Sequence, residues 1–327
     1  MVTHPKTPCF FVLLHAMNYL GELISIGVAC SWTIAALTSE VGSRRLGVFV
    51  MNVWRMGMTL LLSALLMLAV FGLPYPVYAG SEAWTWLLAS GVVGYFFGDW
   101  CLFNSYLTIG SRMGQLFMTL APMFTALSAW VMIGQTLSAS ALLAMGVTLF
   151  GIAVSVLGRD DRHHVSLNLP LRGVAYGIGA GLGQGVGLVL SKIGLDHYEA
   201  DVPAGLLPAV ADYLPFASNM IRCVAGFACF SAWLIVSGHA GRMRSSLHDR
   251  RGLAAMVAAV FAGPFVGVGF SLMAVQYTAA GIASTLMATT PILILLPSRW
   301  LFGQPITARA VLGAVISVVG VSLFFLL

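Results

Sequence analysis

Three ionisable residues stand inside stretches apolar enough to cross a bilayer: Arg55 in NVWRMGMTLLLSALL, Asp99 in GYFFGDWCLFNSY and Arg222 in NMIRCVAGFACFSAW. A charged side chain near the bilayer centre costs about 2.5–3.5 kcal/mol on insertion scales, so such residues turn towards a partner or a wet cavity. With a rise of 1.5 Å per residue, Arg55 lies about 12 Å and Asp99 about 15 Å from the same membrane face. The matched depths leave three readings of Arg55: an ion pair with Asp99, a snorkelling side chain, or direct contact with a substrate or gate. Arg222, about 9 Å from the opposite edge, is expected to snorkel outward. Asp99 is the only acid deep within a span, and a carboxylate that can exchange a proton across the membrane suits a cycle in which proton and substrate compete.

Uncharged polar residues extend the candidate set. Trp32, Asn104, Gln115, Thr119, Gln184, Gln276, Tyr277, Ser284, Thr285 and Thr289 are spaced along six apolar segments. Each singly reads as glue between helices; together they suit a cavity for a small amphipathic solute. Pro122 and Pro291 are expected to kink or weaken their helices where gating would need it. GIGAGLGQGVG, residues 177–187, places glycines on two nearly opposite helix faces, which allows close helix packing on both. Its spacing does not fit the dinucleotide fingerprint, and no strand precedes it.

The elements that must position these residues are helices. Of 327 residues 59% are hydrophobic and 8% charged, where globular domains carry about 25% charged residues, so the fold class is all-α integral membrane. Hydropathy predicts ten transmembrane helices over 18–38, 47–72, 84–109, 113–133, 138–158, 173–193, 216–238, 253–277, 281–302 and 307–327. The runs are continuously apolar, which excludes the alternating strands of a barrel. Arg44, Arg45, Arg112, Arg159, Arg162, Arg172, Arg242, Arg244, Arg250 and Arg251 fall in the odd-numbered loops, which therefore face the cytoplasm and leave both termini outside. Residues 1–16 read as an N-terminal extension with no small-residue cleavage site, and a start at Met17 would change nothing else.

A shift of 169 aligns residues 94–157 with 263–326 without a gap, pairing Gly94, Gly98, Pro122, Gly134 and Gln135 with Gly263, Gly267, Pro291, Gly303 and Gln304. A shift of 152 pairs SEVG at 39–42 with SKIG at 191–194, and Trp32 with Gln184. The chain thus divides into five-helix repeats at 17–158 and 172–327. Because five is odd, the second copy begins on the opposite face, giving two inverted repeats with the site expected between them near mid-depth. On the same register the counterpart of Asp99 is Val268, so Arg222 has no acid by symmetry.

An Arg in the second helix of each half, a Pro in the fourth, and Gly-Gln-x-[Leu/Ile]-[Ser/Thr] opening the fifth resemble the EamA-type drug/metabolite transporter family, from Met17 to Leu327. The resemblance implies a transporter at the cell inner (plasma) membrane. Family members usually carry Gly-Glu at that corner; Gln135 and Gln304 replace the acid in both halves, so no role for that carboxylate carries over. The family usually has cytoplasmic termini, the reverse of the Arg count.

Other classes find little support. The formal charge of +5 sits in short loops beside apolar runs, a topology signal and not a nucleic-acid patch. The five cysteines have no ligand spacing, and no catalytic signature or phosphate loop occurs, so no enzyme activity, metal or cofactor is expected. The expected function is secondary transport of a small organic metabolite, an amino acid or similar, by alternating access and in the direction of export. A lipid-handling transporter and a non-transporting channel or scaffold are the alternatives. The expected partners are the lipid bilayer, a small-molecule substrate and protons; the sequence assigns no oligomeric state.

Overall fold

In the computed structural model of the chain, residues 19–136, 138–159, 165–167, 169–278, 280–304 and 306–326 are described. The N-terminal extension 1–16, and Arg162, His163 and His164 of the fifth loop, lie outside them. The first repeat contains α1 (Leu20–Leu46), α2 (Val48–Phe71), α3 (Ser81–Ser90), a π-helical stretch π1 (Gly91–Asp99), α4 (Trp100–Met118), α5 (Ala121–Ile133) and α6 (Ala139–Val156). A short antiparallel pair, β1 (Leu157–Arg159) with β2 (Val165–Leu167), joins it to the second. There follow α7 (Leu171–Asp201), α8 (Leu207–Val210), α9 (Leu214–Val236), α10 (Gly241–Ser246), α11 (Arg250–Val260), π2 (Phe261–Gly267), α12 (Val268–Tyr277), α13 (Ala280–Met287), α14 (Thr290–Leu293), α15 (Leu295–Phe302) and α16 (Ala308–Leu326).

Among the described residues seven helices are long and apolar enough to cross a membrane, fewer than the ten spans expected. One reason lies at Gly110, whose φ of 82° and ψ of 156° turn the chain without a loop, so the third expected span abuts the start of the fourth within Ser81–Met118. Only glycine adopts that backbone without strain. Gly47 makes the same turn between α1 and α2, with φ 83° and ψ 151°. The fourth expected span is interrupted again between α4 and α5, and the ninth between α13 and α14.

The two repeats share local geometry as well as sequence. Gly134 and Gly303, 169 apart, both end a helix in the left-handed conformation, with φ 68° and 66°. π1 and π2 also occupy matched registers. Pro122 and Pro291 sit in the first turns of α5 and α14, where a missing N–H costs nothing. They start half-helices after a break; neither kinks a helix interior.

The first helix of each repeat packs on the third helix of the other. Glycine allows it: a Cβ on Gly183 or Gly187 of α7 would lie 2.6 and 2.8 Å from the Cα atoms of Gly98 and Gly94 in π1. On the opposite face, Gly177, Gly181 and Gly185 admit Phe117, Leu120 and Phe124. Across the molecule α1 meets π2 in the same manner, with Ser31 donating 2.7 Å to the Ala262 carbonyl and Trp32 against Gly267. α6 and α16 close the second contact, where Gly151 lies against Ser317 and its counterpart Gly320 against Thr148, the counterpart of Ser317. The contacts are exchanged between copies at both places.

The largest buried apolar cluster gathers α1, α2, α4 and α9 around Met51, Met56, Phe103, Tyr106 and Phe230. It surrounds the charged residues of α2 and π1.

Candidate functional site

Asp99 ends π1, and the wide turn aims its carboxylate at α2 and α7. A π segment inserts a residue into a helix and often marks a functional position. The Arg55 guanidinium donates through Nη2 to Asp99 Oδ2, and the Gln184 amide donates 3.0 Å to Oδ1. Both carboxylate oxygens are thus engaged, and Asp99 is 4% exposed. Arg55 Nε donates 3.2 Å to Asn52 Oδ1, whose own amide is fixed by a 3.0 Å bond to the Val48 carbonyl. The guanidinium also lies 5.0 Å from the Phe103 ring centroid. With a side chain 12% exposed, Arg55 is a buried partner of Asp99 and not a snorkelling residue.

Gln184 ties this pair to the second repeat. Its amide donates a second bond, 3.3 Å, to the Gly94 carbonyl. The Arg222 guanidinium approaches Gly94 as well and stacks 4.5 Å above the Tyr95 ring, while Tyr95 Oη donates to Asn219 Oδ1. Arg222 was expected to reach the membrane edge; instead it turns inward, because an aromatic face at that depth offers a partner that needs no acid. Its Nε is buried with no hydrogen-bond partner among the described residues. Among the described residues the ion pair of Asp99 is with Arg55, and Arg222 forms none. Two arginines and one aspartate therefore meet where the repeats touch.

The remaining sequence candidates fall elsewhere. Trp32 occupies the position equivalent to Gln184 and packs on Gly267, the counterpart of Gly98. Asn104 donates 2.7 Å to the Trp100 carbonyl of its own helix. Gln115 donates 2.6 Å to Tyr106 Oη, so it satisfies a buried tyrosine. Thr119 and Thr289 bond the carbonyls of Leu116 and Leu286 at the breaks before Pro122 and Pro291, each at 2.6 Å. Tyr277 closes α12, and the Gln276 side chain lies outside the described residues.

Glu40 was missed. The first span was expected to end at residue 38, but α1 continues to Leu46 and leaves Glu40 fully buried. Its carboxylate accepts 3.0 and 2.6 Å bonds from Arg44 and a 2.7 Å bond from the Ser111 N–H just past Gly110. The signal available was Arg44 four residues on, the spacing of neighbours on one helix face. Glu40 pins the end of α1 to the Gly110 turn, away from the central pair. Nearby, Gln304 lies against Gly110 with its Oε1 buried and unpartnered among the described residues. No group of three or more metal-ligating side chains occurs among the described residues.

A sequence model described as the EamA-like transporter family matches residues 19–157 and again 171–326. No curated protein matches the chain. A solved crystal structure superposes with a TM-score of 0.56 at 15% identity, covering 94% of this chain and 96% of that one. At that identity the likeness shows the fold alone.

Proposed function

Because the chain belongs to the EamA-like transporter family, we propose that it works as a ten-helix secondary transporter of two inverted five-helix repeats, 17–158 and 172–327, in the cell inner membrane. Its cargo is a small organic solute bearing an anionic group, and it exports that cargo by alternating access. One observation carries the reading: the node of Arg55, Asp99, Gln184 and Arg222 is built from both repeats and carries one more positive than negative charge. A surplus guanidinium away from water favours an anionic ligand over a neutral one. The exchanged contacts of α1 with π2 and α7 with π1 support the inversion, since a pseudo-two-fold relation between halves is what lets them swap conformations.

In this cycle a proton arriving at Asp99 neutralises its carboxylate and loosens both the Arg55 and the Gln184 bonds. Arg55 and Arg222 then hold the anionic group of the solute. Release of solute on the other face lets Arg55 return to Asp99 and expels the proton. The Asp99 carboxylate and the anionic group of the solute compete for the same cations, so bound solute favours a protonated Asp99 and the two move together.

Counterflow in proteoliposomes tests the proposal, with radiolabelled amino acids, purines and sugar phosphates offered in turn. Trans-acceleration by a carboxylate- or phosphate-bearing solute is expected, and Asp99→Asn should remove its dependence on a pH gradient. Uptake without trans-acceleration for every solute would point to a channel. A pH dependence that survives Asp99→Asn removes Asp99 as the coupling group.

A further inference from the structure

At the arginine-rich end of the molecule, away from the central node, a cleft of about 400 Å³ opens between the end of α1 and α10. Arg44, Arg45 and Arg242 line it with the hydroxyls of Ser245 and Ser246, and Asp249 is the one acid in the lining. Glu40 engages Arg44, and Asp249 holds Arg45 at 3.0 and 2.9 Å. Arg242 is exposed and has no ion-pair partner among the described residues. The cleft is held open by a tether: Trp54 of α2 donates 2.9 Å to Ser246 Oγ and fixes α10 against the bundle.

A second hollow, about 190 Å³, begins at the same Leu46, Gly47 and Arg242 and runs between α2 and α9. Val48, Phe49, Val50, Trp233 and Leu234 make most of its wall, with Ser237 and His239 also in the lining. Phe49 and Trp233 stack with centroids 5.8 Å apart at 16°, which makes one wall rigid. Trp233 is 52% exposed and its neighbour Val236 86%, so the groove opens on the surface that faces lipid. Gly47 stands where the two hollows meet. Its left-handed φ excludes most side chains, and a Cβ there would touch nothing, so the junction is kept clear.

We propose that the two hollows form one binding site for an anionic phospholipid, with the headgroup phosphate at Arg242, Arg45 and Ser245 and one acyl chain along Phe49 and Trp233. A soluble phosphate would use the basic cleft but would gain nothing from the apolar groove that leaves it. A zwitterionic lipid would fill the groove but would bring a choline to three guanidinium groups. Only a ligand that is anionic at its head and apolar behind it uses both. The arginine-rich loops place the site at the cytoplasmic leaflet, whose anionic lipids are drawn to basic residues there. The lipid occupying it is a resident of the scaffold that braces α1, α2, α9 and α10, and it is not the transported solute.

The test reads Trp233 fluorescence in vesicles containing chain-brominated phosphatidylglycerol or chain-brominated phosphatidylcholine, taking the Trp233 signal as the difference between the protein and Trp233→Phe. Half-quenching of that signal is expected at a several-fold lower mole fraction of phosphatidylglycerol than of phosphatidylcholine. Arg242→Gln should bring the ratio close to one, and Arg242→Lys should keep most of it. Equal quenching by the two lipids in the unaltered protein overturns the proposal, as does a preference that Arg242→Gln leaves intact. Loss of the preference on adding millimolar inorganic phosphate at constant ionic strength would identify a soluble-anion site and also overturn it. The lipid comparison and the phosphate competition need no variant of Arg242 and stand whether or not transport is observed.

Discussion

Arg55 and Asp99 are each held by more than the other. Asn52 and Phe103 fix the guanidinium, and Gln184 takes the second carboxylate oxygen. Removing one partner of a buried pair strands the other charge, which costs about 3–5 kcal/mol. Arg55→Gln and Asp99→Asn are each expected to lower stability by roughly that amount. Combined, they should cost clearly less than their sum, because neither charge is then left alone. Thermal unfolding of the four proteins in detergent checks this, and strictly additive losses would show that the two residues act independently. At this scale the sequence was only half legible. Equal depth brings Arg55 and Asp99 into reach of each other, but the inward turn of Arg222 is not legible, because sequence periodicity cannot show that Tyr95, on another helix, turns its face towards it.

Among the elements, α7 and π1 show what the glycine stripe does. Gly183→Ala would put a methyl 2.6 Å from the Gly98 Cα, so the helices must separate. Such overpacking costs about 1–3 kcal/mol, and it displaces Gln184 from Asp99. Gly146→Ala in α6, where a Cβ meets nothing within 4 Å, should leave stability and transport unchanged. Comparing the two variants by thermal stability and counterflow separates close helix approach from general intolerance of alanine. At the N-terminus of α11, Asp249 accepts 2.9 Å from the Gly252 N–H and binds Arg45. The Gly252 N–H first, and then Arg45, hold its carboxyl below the ordinary carboxylate range. The cap is therefore in place at neutral pH and lost only as pH falls through that lowered value. Amide protection factors in Arg250–Leu253, taken against the intrinsic rate at each pH, should fall on acidification, and Asp249→Asn should flatten that fall. Helix positions were legible because apolar runs are long, whereas the abutting helices at Gly110 were not: a left-handed glycine can stop a helix or simply turn it, and the residue type is the same for both.

For the molecule as a whole, exchanged contacts between repeats are its organising feature. The alignment at a shift of 169 was readable in the sequence because Gly, Pro and Gln occupy fixed registers. Which helices the copies share was not, since it depends on tertiary pairing. α6 and α16 meet through Gly151 with Ser317 and Thr148 with Gly320, a seam of small residues with no charge. If this seam stays shut while the rest of the bundle rocks, a disulfide from Thr148→Cys with Ser317→Cys, where Ser317 Oγ lies 3.5 Å from the Thr148 carbonyl, should spare counterflow. Full inhibition by that bridge would place the seam among the moving parts.

The two π segments bear on how the chain arose. A wide turn in the same register of both copies dates it to before the copies diverged, so the single ancestral unit already carried it. The acid does not share that age. Asp99 ends one wide turn and Val268 follows the other, so the carboxylate was gained or lost after duplication, on a backbone already bent to receive it.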